Sequence, residues 1–325
     1  MKIGIIGVGL YSTALALNIA KNKHNIIMWS ENSELVANFK KTHTLPLSIT
    51  DKTIPTNINI TEDITTITDS TDLIIIGTTA RFVRSTSLMI KKNFNVLTPI
   101  CIASKGIENE TCSFLSDIVR DILKAKHISV ISGPTFAIDL INEEPCALSV
   151  ASTTKKASNT VIKALESNHL KLRINQDLYG TEICGSIKNV IAIASGILEG
   201  LGFKESTRAF LITEALHDIK ELLYKLECNP KTILSFAGIG DLILTCSSPK
   251  SRNYQFGVLL GKNITREEIR EYLEKNTVEG YYTLLSIKEL TKNRKIKMPI
   301  INIIYDITIN NKNPEILSMF LINKN

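Results

Sequence analysis

Lys188 is the residue of this sequence whose surroundings most favour a chemical role. It lies in GSIKNVIAIASGILEGLG (residues 185–202), a segment that otherwise consists mainly of small and apolar residues. A bare ammonium group is costly to bury in such a segment unless it faces a polar site. In a site, an ammonium group can exchange a proton with a reacting atom and stabilise a negative charge there. The alternative is a surface lysine whose alkyl chain covers apolar residues while its charge stays in water.

A second group of polar residues, Ser251, Arg252 and Asn253, supplies a hydroxyl, a guanidinium and an amide at successive positions. The planar guanidinium can make two charge-assisted hydrogen bonds to one phosphate group. The run therefore predicts a site for a phosphorylated small molecule. Without the segment GDLILT (240–245) just before it, the same run would be typical of a surface turn.

The start of the chain nearly matches the glycine fingerprint of a dinucleotide-binding turn. An apolar run, MKIGII, leads into GVGLYSTALA (residues 7–16). Gly7 would allow the tight turn, and Gly9 would let the backbone approach a pyrophosphate at the N-terminus of the next helix. The third glycine, which serves the packing of helix against strand, is replaced by Ser12. We expect Ser12 to affect packing more than phosphate contact, although its hydroxyl could also donate to a phosphate oxygen.

Glu31 follows the predicted second strand, NIIMW (residues 25–29). A carboxylate at this place accepts hydrogen bonds from the ribose hydroxyls of NAD and repels the additional phosphate of NADP. The residue therefore predicts a preference for NAD(H), with NADP(H) as the alternative cofactor. Glu31 could instead cap the next helix.

The same N-terminal segment also has some features of a signal peptide. Lys2, an apolar stretch and the sequence ALA (14–16) mimic its charged start, apolar centre and cleavage site. Glycines and hydroxyl residues interrupt the stretch, however, and no apolar run approaches the ~18 residues of a membrane span. We therefore expect a cytoplasmic protein without a membrane-spanning segment.

Strand-like and helix-like segments alternate in the first half of the chain and position these residues. The apolar runs end in small or polar residues, which is typical of strands buried on both faces of a parallel sheet. Strand-like runs almost vanish after residue 178, whereas helical periodicity continues to residue 309. The sequence therefore predicts an α/β protein with an N-terminal Rossmann-type doubly wound sheet (1–178) and an all-α C-terminal domain (179–325). The predicted strands are 2–8, 25–29, 72–79, 98–104, 127–133, 146–151 and 171–175.

Composition agrees with a globular chain of two domains. The 325 residues are 44% hydrophobic and 22% charged, and the net charge is +6. This modest charge is spread along the sequence, so it suits a small anionic substrate and predicts no nucleic-acid partner. The six cysteines lack the spacing of metal ligands, and we expect neither a metal site nor a disulfide framework.

Six stretches together resemble, in their order and spacing, the NAD(P)-dependent glycerol-3-phosphate dehydrogenases of bacteria. The resemblance covers almost the whole chain, and the segments KNVIAI and GDLxxTCxSxxSRN are its specific elements. It implies the interconversion of dihydroxyacetone phosphate and sn-glycerol 3-phosphate, which supplies the backbone of glycerophospholipids. The stretches are GVGLYSTALA, SKGIE (104–108), ISGPTFA (131–137), GSIKNVIAIASGILEGLG, AGIGDLILTCSSPKSRNYQFG (237–257) and VEGY (278–281).

The resemblance also implies roles for individual residues. Lys188 would donate the proton during reduction and accept it in the reverse direction, and Asp241 would orient it and bind a substrate hydroxyl. Asp241 could also be a helix N-cap. The catalytic residues implied are Lys188, Asp241, Lys105 and Thr245. Substrate contacts are implied for Lys105, Gly133, Thr135, Lys188, Asp241, Ser251, Arg252 and Asn253. Cofactor contacts are implied for Gly7, Gly9, Tyr11, Glu31, Lys105, Ala137, Arg252 and Glu279.

The chain departs from the family pattern in places, and two other classes of function stay open. Leu10 stands where the family commonly has serine, and Thr277 replaces a usual valine. The family resemblance implies a homodimer. A reductase of the ketopantoate or β-hydroxyacid type would share the architecture but would need a clamp for a carboxylate. A redox sensor that binds NAD(H) without turnover would need no proton donor.

Overall fold

The computed structural model describes residues 1–323 and divides the chain into two compact units. Unit 1 comprises Met1–Ser104 and Leu115–Leu178. Unit 2 comprises Lys105–Phe114 and the chain from Tyr179 onward. The short segment Lys105–Phe114, which the sequence assigned to the first domain, thus folds with the helical part of the protein.

Unit 1 is built on one sheet of eight strands in the order β3-β2-β1-β4-β5-β6-β7-β8. All neighbouring strands are parallel except β6 and β7, which are antiparallel. The order of the first six strands is that of the Rossmann fold. The strands are Lys2–Ile6 (β1), Asn25–Trp29 (β2), Ile58–Thr61 (β3), Leu73–Ile76 (β4), Ile100–Ile102 (β5), Ile128–Ser132 (β6), Cys146–Ser152 (β7) and Leu170–Asn175 (β8).

Helices cover both faces of this sheet, which explains its continuous apolar strands. Side chains alternate between the two faces of a strand, so that Ile5 and Ile75 pack in one core while Ile6 and Ile76 pack in the other. The helices of unit 1 are Leu10–Lys21 (α1), Ser33–Thr42 (α2), Thr65–Thr68 (α3), Val83–Ile90 (α4), Leu115–Leu123 (α5), Ala137–Ile141 (α6) and Lys155–Leu165 (α7).

Unit 2 consists of helices around a single apolar core. Its first helix, α8 (Leu178–Gly200), is buried at every position from 180 to 198, which explains its small and apolar composition. The remaining helices are Glu205–Lys225 (α9), Asp241–Ser247 (α10), Arg252–Gly261 (α11), Arg266–Lys275 (α12), Glu279–Asn293 (α13), Pro299–Thr308 (α14) and Ile316–Asn323 (α15).

The structure confirms the predicted fold class and corrects two details. The predicted strands omitted β3, whose alternating burial includes an exposed Asn59. Between the predicted strands 98–104 and 127–133 the sequence pattern predicts a helix near 111–125, but helix α5 spans only Leu115–Leu123, because residues 105–114 form a loop closed by a bridge between Ile107 and Phe114. Helix α8 is long and apolar enough to cross a membrane by length and composition alone, but 89% of its most apolar 18-residue window is buried inside the protein.

Candidate active site

Asp241 holds two ammonium groups in the interior of unit 2. Lys188 Nζ lies 2.6 Å from Asp241 Oδ1, and Lys105 Nζ lies 2.8 Å from Asp241 Oδ2. Lys188 Nζ also donates to Thr245 Oγ1 at 2.8 Å. The Lys188 side chain is 9% exposed and that of Asp241 is 2% exposed. The four residues implied as catalytic therefore form one hydrogen-bonded cluster around Asp241, which is buried except for the half-buried Lys105.

Three different elements deliver these side chains. Lys188 projects from the middle of α8, and Asp241 and Thr245 lie one turn apart on α10, where the Thr245 hydroxyl donates to Asp241 O at 2.6 Å. Lys105 lies in the 105–114 loop, which explains why this segment belongs to unit 2. The alternative role of Asp241 as an N-cap is wrong, because Gly240 occupies that position and Asp241 is the first residue of the helix.

A sharp kink sets the direction of α10. Residues Phe236–Gly240 form a wide helical turn in which Gly238 departs from helical geometry. A Cβ at Gly238 would lie 2.2 Å from Ile233 O, so only glycine allows this approach of the two backbone segments. The turn ends directly before Asp241, and it thereby fixes where the carboxylate enters the site.

Burial and charge oppose each other within the cluster. Burial lowers the pKa of Lys188 to about 8, while the charge of Asp241 acts in the opposite direction. Burial alone would raise the pKa of Asp241, but the neighbouring ammonium groups of Lys105 and Lys188 hold it below its ordinary value. Near neutral pH the cluster thus contains a carboxylate and a lysine that can give up its proton readily.

The predicted phosphate-binding residues begin helix α11. Ser251 is its N-cap, with Oγ accepting from Tyr254 N at 3.3 Å, and Arg252 is exposed at the first helical position. Asn253 is buried, and its amide is largely occupied: Oδ1 accepts from Gly280 N at 2.8 Å and Nδ2 donates to Asn189 at 3.0 Å. Of the three, only Arg252 is an exposed residue.

Asn189 is a site residue that the sequence analysis missed. It follows Lys188 on α8, is buried, and its Oδ1 accepts the hydrogen bond from Asn253. A polar residue beside Lys188 in the apolar segment is a signal that could have identified it, because buried amides need partners.

Glu279 begins helix α13, immediately before the backbone N–H of Gly280 that Asn253 holds. Burial raises the pKa of Glu279, and the positive charges of Arg252, Lys105 and Lys188 act in the opposite direction. Glu279 therefore lies within electrostatic reach of both the lysine cluster and the start of α11.

The glycine turn of unit 1 has the geometry that a dinucleotide needs. Gly7 has a φ of 109°, which favours glycine, and a Cβ at Gly9 would meet open space. Gly9 is also the N-cap of α1, so the first N–H groups of the helix receive no capping side chain from it. Beside the turn, the buried hydroxyls of Thr78 and Thr79 have no hydrogen-bond partner among the described residues. Open backbone, unsatisfied hydroxyls and a positive helix end fit a pyrophosphate.

Ser12 has a structural role that replaces the missing third glycine. Its Oγ donates to Gly77 O at 2.9 Å, which agrees with the expected packing role and engages the hydroxyl proton that could otherwise reach a phosphate oxygen. A Cβ at Gly77 would lie 2.3 Å from Ser12 Oγ. The glycine that permits close packing of helix and strand is therefore on β4's side of the contact, at position 77, rather than on α1.

Two further residues that the family resemblance implies as cofactor contacts lie in unit 1. Glu31 is exposed between β2 and α2. Its alternative role as a helix cap is wrong, because Asn32 is the N-cap and accepts from Leu35 N at 2.9 Å. Tyr11 is half-buried as the second residue of α1, and Leu10 before it is exposed.

The segment after β6 has visible packing roles as well. A Cβ at Gly133 would lie 2.4 Å from Ala147 O on β7, and the Thr135 hydroxyl donates to the same oxygen at 3.2 Å. Ala137 is the first residue of α6. These contacts explain the residue types at positions 133 and 135 in part, without assigning them a ligand.

A doubly wound sheet with an open glycine turn, together with a helical unit that contains a buried lysine–carboxylate pair, fits a nicotinamide-dependent dehydrogenase. Two family profiles match the chain: "NAD-dependent glycerol-3-phosphate dehydrogenase N-terminus" over residues 2–158 and "NAD-dependent glycerol-3-phosphate dehydrogenase C-terminus" over residues 177–318. The chain belongs to this family, as the resemblance in its sequence indicated.

Individual relatives agree over nearly the full length. Glycerol-3-phosphate dehydrogenase [NAD(P)+] of Staphylococcus epidermidis is 34% identical over 309 residues, 94% of this chain and 93% of that protein. A second such enzyme, from Salinibacter ruber, is 32% identical over 97% of this chain and 92% of its own. The crystal structure of glycerol-3-phosphate dehydrogenase from Coxiella burnetii superposes with a TM-score of 0.94 at 28% identity, covering 99% of both chains. A ketopantoate reductase from Ralstonia eutropha, at 12% identity and a TM-score of 0.58, shares the fold alone.

Proposed function

We propose that this protein interconverts dihydroxyacetone phosphate and sn-glycerol 3-phosphate, with Lys188 as the proton donor and acceptor. The observation that carries the proposal is the pair of ammonium groups held by Asp241, one of them 2.6 Å from the carboxylate on a helix that is buried from residue 180 to residue 198. A non-catalytic NAD(H) sensor has no use for such a cluster, because it transfers no proton.

The geometry of the cluster supports Lys188 as the group that transfers the proton. When bound, the nicotinamide supplies a hydride to the carbonyl carbon, and the carbonyl oxygen becomes an alkoxide. Lys188 donates its proton to that oxygen, and its positive charge stabilises the oxyanion before the transfer. Asp241 and Thr245 fix the direction of the ammonium group through their hydrogen bonds. Lys105, bonded to the other carboxylate oxygen, adds a second positive charge for the substrate oxygen atoms.

The substrate phosphate binds at the start of α11 in this proposal. Arg252 supplies the charge-assisted contacts, and Ser251 keeps its hydroxyl proton available because its oxygen is the helix cap. Asn253 has one remaining N–H for the same phosphate and otherwise fixes the position of Arg252 through its bonds to Asn189 and Gly280. Gly133 and Thr135, implied as substrate contacts by the family resemblance, remain part of the proposal.

The cofactor binds to unit 1. Gly7 and Gly9 approach the pyrophosphate, Thr78 and Thr79 add hydroxyl donors, and the exposed carboxylate of Glu31 accepts from the adenosine ribose, which favours NAD(H) over NADP(H). Tyr11, Ala137, Lys105, Arg252 and Glu279 complete the proposed cofactor contacts. A homodimer located in the cytoplasm is the state we propose for the working enzyme, in line with its family.

Initial rates with two substrates and two cofactors test this proposal. We expect oxidation of NADH with dihydroxyacetone phosphate, a lower kcat/KM with NADPH, and no oxidation with ketopantoate, which lacks the phosphate that Arg252 binds. A Glu31→Ser variant, which removes the charge that repels the ribose phosphate, should raise kcat/KM for NADPH. Comparable rates with ketopantoate would contradict the proposed substrate, and equal use of the two cofactors by the wild-type protein would contradict the role of Glu31.

A further inference from the structure

Helices α8 and α11 touch along a seam made of two pairs of glycines. On each helix the glycines are four residues apart, so they lie on one face. Backbone atoms of the two helices approach more closely than any side chain would allow. A Cβ would lie 2.0 Å from Tyr254 O at Gly196, 2.4 Å from Val258 O at Gly200, 2.0 Å from Ile193 O at Gly257 and 2.3 Å from Ile197 O at Gly261.

The seam has a constant register. Asn189 bonds to Asn253, which lies 64 positions later in the chain. Gly257 faces Ile193, and Gly261 faces Ile197, with the same offset. The contacts therefore advance together along both helices, one turn at a time.

This register has a consequence for the reacting groups. Lys188 directly precedes Asn189, and Arg252 directly precedes Asn253, so the proton donor and the guanidinium begin at the same level of the helix pair. A second contact resists rotation about the seam: the Tyr254 hydroxyl donates to Glu199 on α8, and Glu199 forms an ion pair with Arg208 at 3.1 Å.

We infer that Gly257 and Gly261 are positioning residues that hold Arg252 at a fixed separation from Lys188, so that one phosphorylated substrate can reach both. The inference rests on the proposed function, since it takes Lys188 and Arg252 as the two ends of the substrate site. A methyl group at either glycine forces α11 away from α8 and separates the two ends, while each end keeps its own chemistry.

Calorimetric affinities for two ligands test this positioning role. Glycerol 3-phosphate, titrated in the presence of NADH so that no hydride transfer occurs, spans both ends. Inorganic phosphate reaches only the Arg252 end. We expect Gly257→Ala to weaken glycerol 3-phosphate binding by ~10- to 100-fold, because displacements of about 1 Å have effects of this size. The affinity for inorganic phosphate should not change.

Two further variants keep the test decisive. Gly261→Ala places its methyl group at the last residue of α11 and should show the same selective loss to a smaller degree, even if Gly257→Ala fails to fold. Ile219→Val alters the core of unit 2 on α9, outside the two helices that form the seam, and it should leave both affinities unchanged.

The outcomes separate the inference from the proposed function. A parallel loss of both ligands in Gly257→Ala and Gly261→Ala, or no loss of either, overturns the positioning role. Wild-type protein that binds glycerol 3-phosphate no more tightly than inorganic phosphate overturns it as well. Selective loss in the variants, combined with no turnover by the wild-type protein, supports the positioning role and contradicts the proposed reaction instead.

Discussion

Lys188 combines two properties that rarely occur together, deep burial and a lasting charge. Its helix supplies apolar surroundings, which lower its pKa to about 8, and Asp241 supplies the charge that opposes a further decrease. A lysine in this range is protonated at neutral pH and still gives up its proton during a turnover. Lys105 has the same carboxylate as its partner, so the cluster carries a net positive charge that suits an anionic substrate.

The rate of the reaction should follow the protonation of Lys188. In the direction of reduction, Lys188 must carry a proton, so kcat/KM for dihydroxyacetone phosphate is expected to be level below pH 8 and to fall above it. In the direction of oxidation, the neutral amine is the active form, and the rate should rise through the same range. The measurement is a pH–rate profile in both directions above pH ~7, where the substrate phosphate is already fully charged.

A Lys188→Arg variant is the control for this profile. A guanidinium does not lose its proton in a protein, so any remaining activity of the variant should show no transition near pH 8. A wild-type profile without that transition, or an unchanged transition in Lys188→Arg, would assign the titration to another group.

At the scale of elements, the contact between Ser12 and Gly77 shows how α1 can lie close to β4 without the usual third glycine. We expect Gly77→Ala to lower the free energy of unfolding by ~1–3 kcal/mol, because the added methyl group meets Ser12 Oγ and overpacks the contact. Adding Ser12→Gly to Gly77→Ala should restore part of the loss. Urea unfolding of the single and double variants measures both effects.

Gly9→Ala is the matched control on the same turn. Its Cβ meets open space, so stability should change little, whereas the affinity for NADH should fall because the methyl group occupies the approach of the pyrophosphate. If Gly77→Ala were as stable as the wild-type protein, or if Ser12→Gly brought no recovery, the account of this packing would be wrong.

At the scale of the whole molecule, the architecture could be predicted because its signals are local. The buried, mostly apolar sequences of β1, β4 and β6 indicate a parallel sheet that is covered by helices on both faces. The loss of such runs after residue 178 indicates a helical domain. Strand β3 gave no such signal, since its four residues alternate between buried and exposed positions. Short edge strands depend on their neighbour for stability more than on their own composition.

Several residues of the candidate site could be identified from the sequence, but the contacts that they make could be predicted only in part. Lys188 was identifiable because an ammonium group in an apolar segment is costly to bury without polar partners. Asn189, and the structural use of Asn253, depend on a pairing across 64 residues that no local pattern contains. Likewise, the sequence gives no sign that the loop with Lys105 folds with unit 2, because the association of distant segments is a property of the tertiary structure.

The most direct test of the central claim compares the wild-type protein with Lys188→Ala. Oxidation of NADH by dihydroxyacetone phosphate is followed by absorbance, and NADH binding is followed separately by fluorescence. The matched control is Lys275→Ala, which removes an exposed lysine from α12 of the same unit. We predict that Lys188→Ala loses ~100- to 10,000-fold in kcat, the range for a missing general acid, while it binds NADH like the wild-type protein and the control. A near-normal kcat in Lys188→Ala would contradict the account and remove Lys188 from the chemistry.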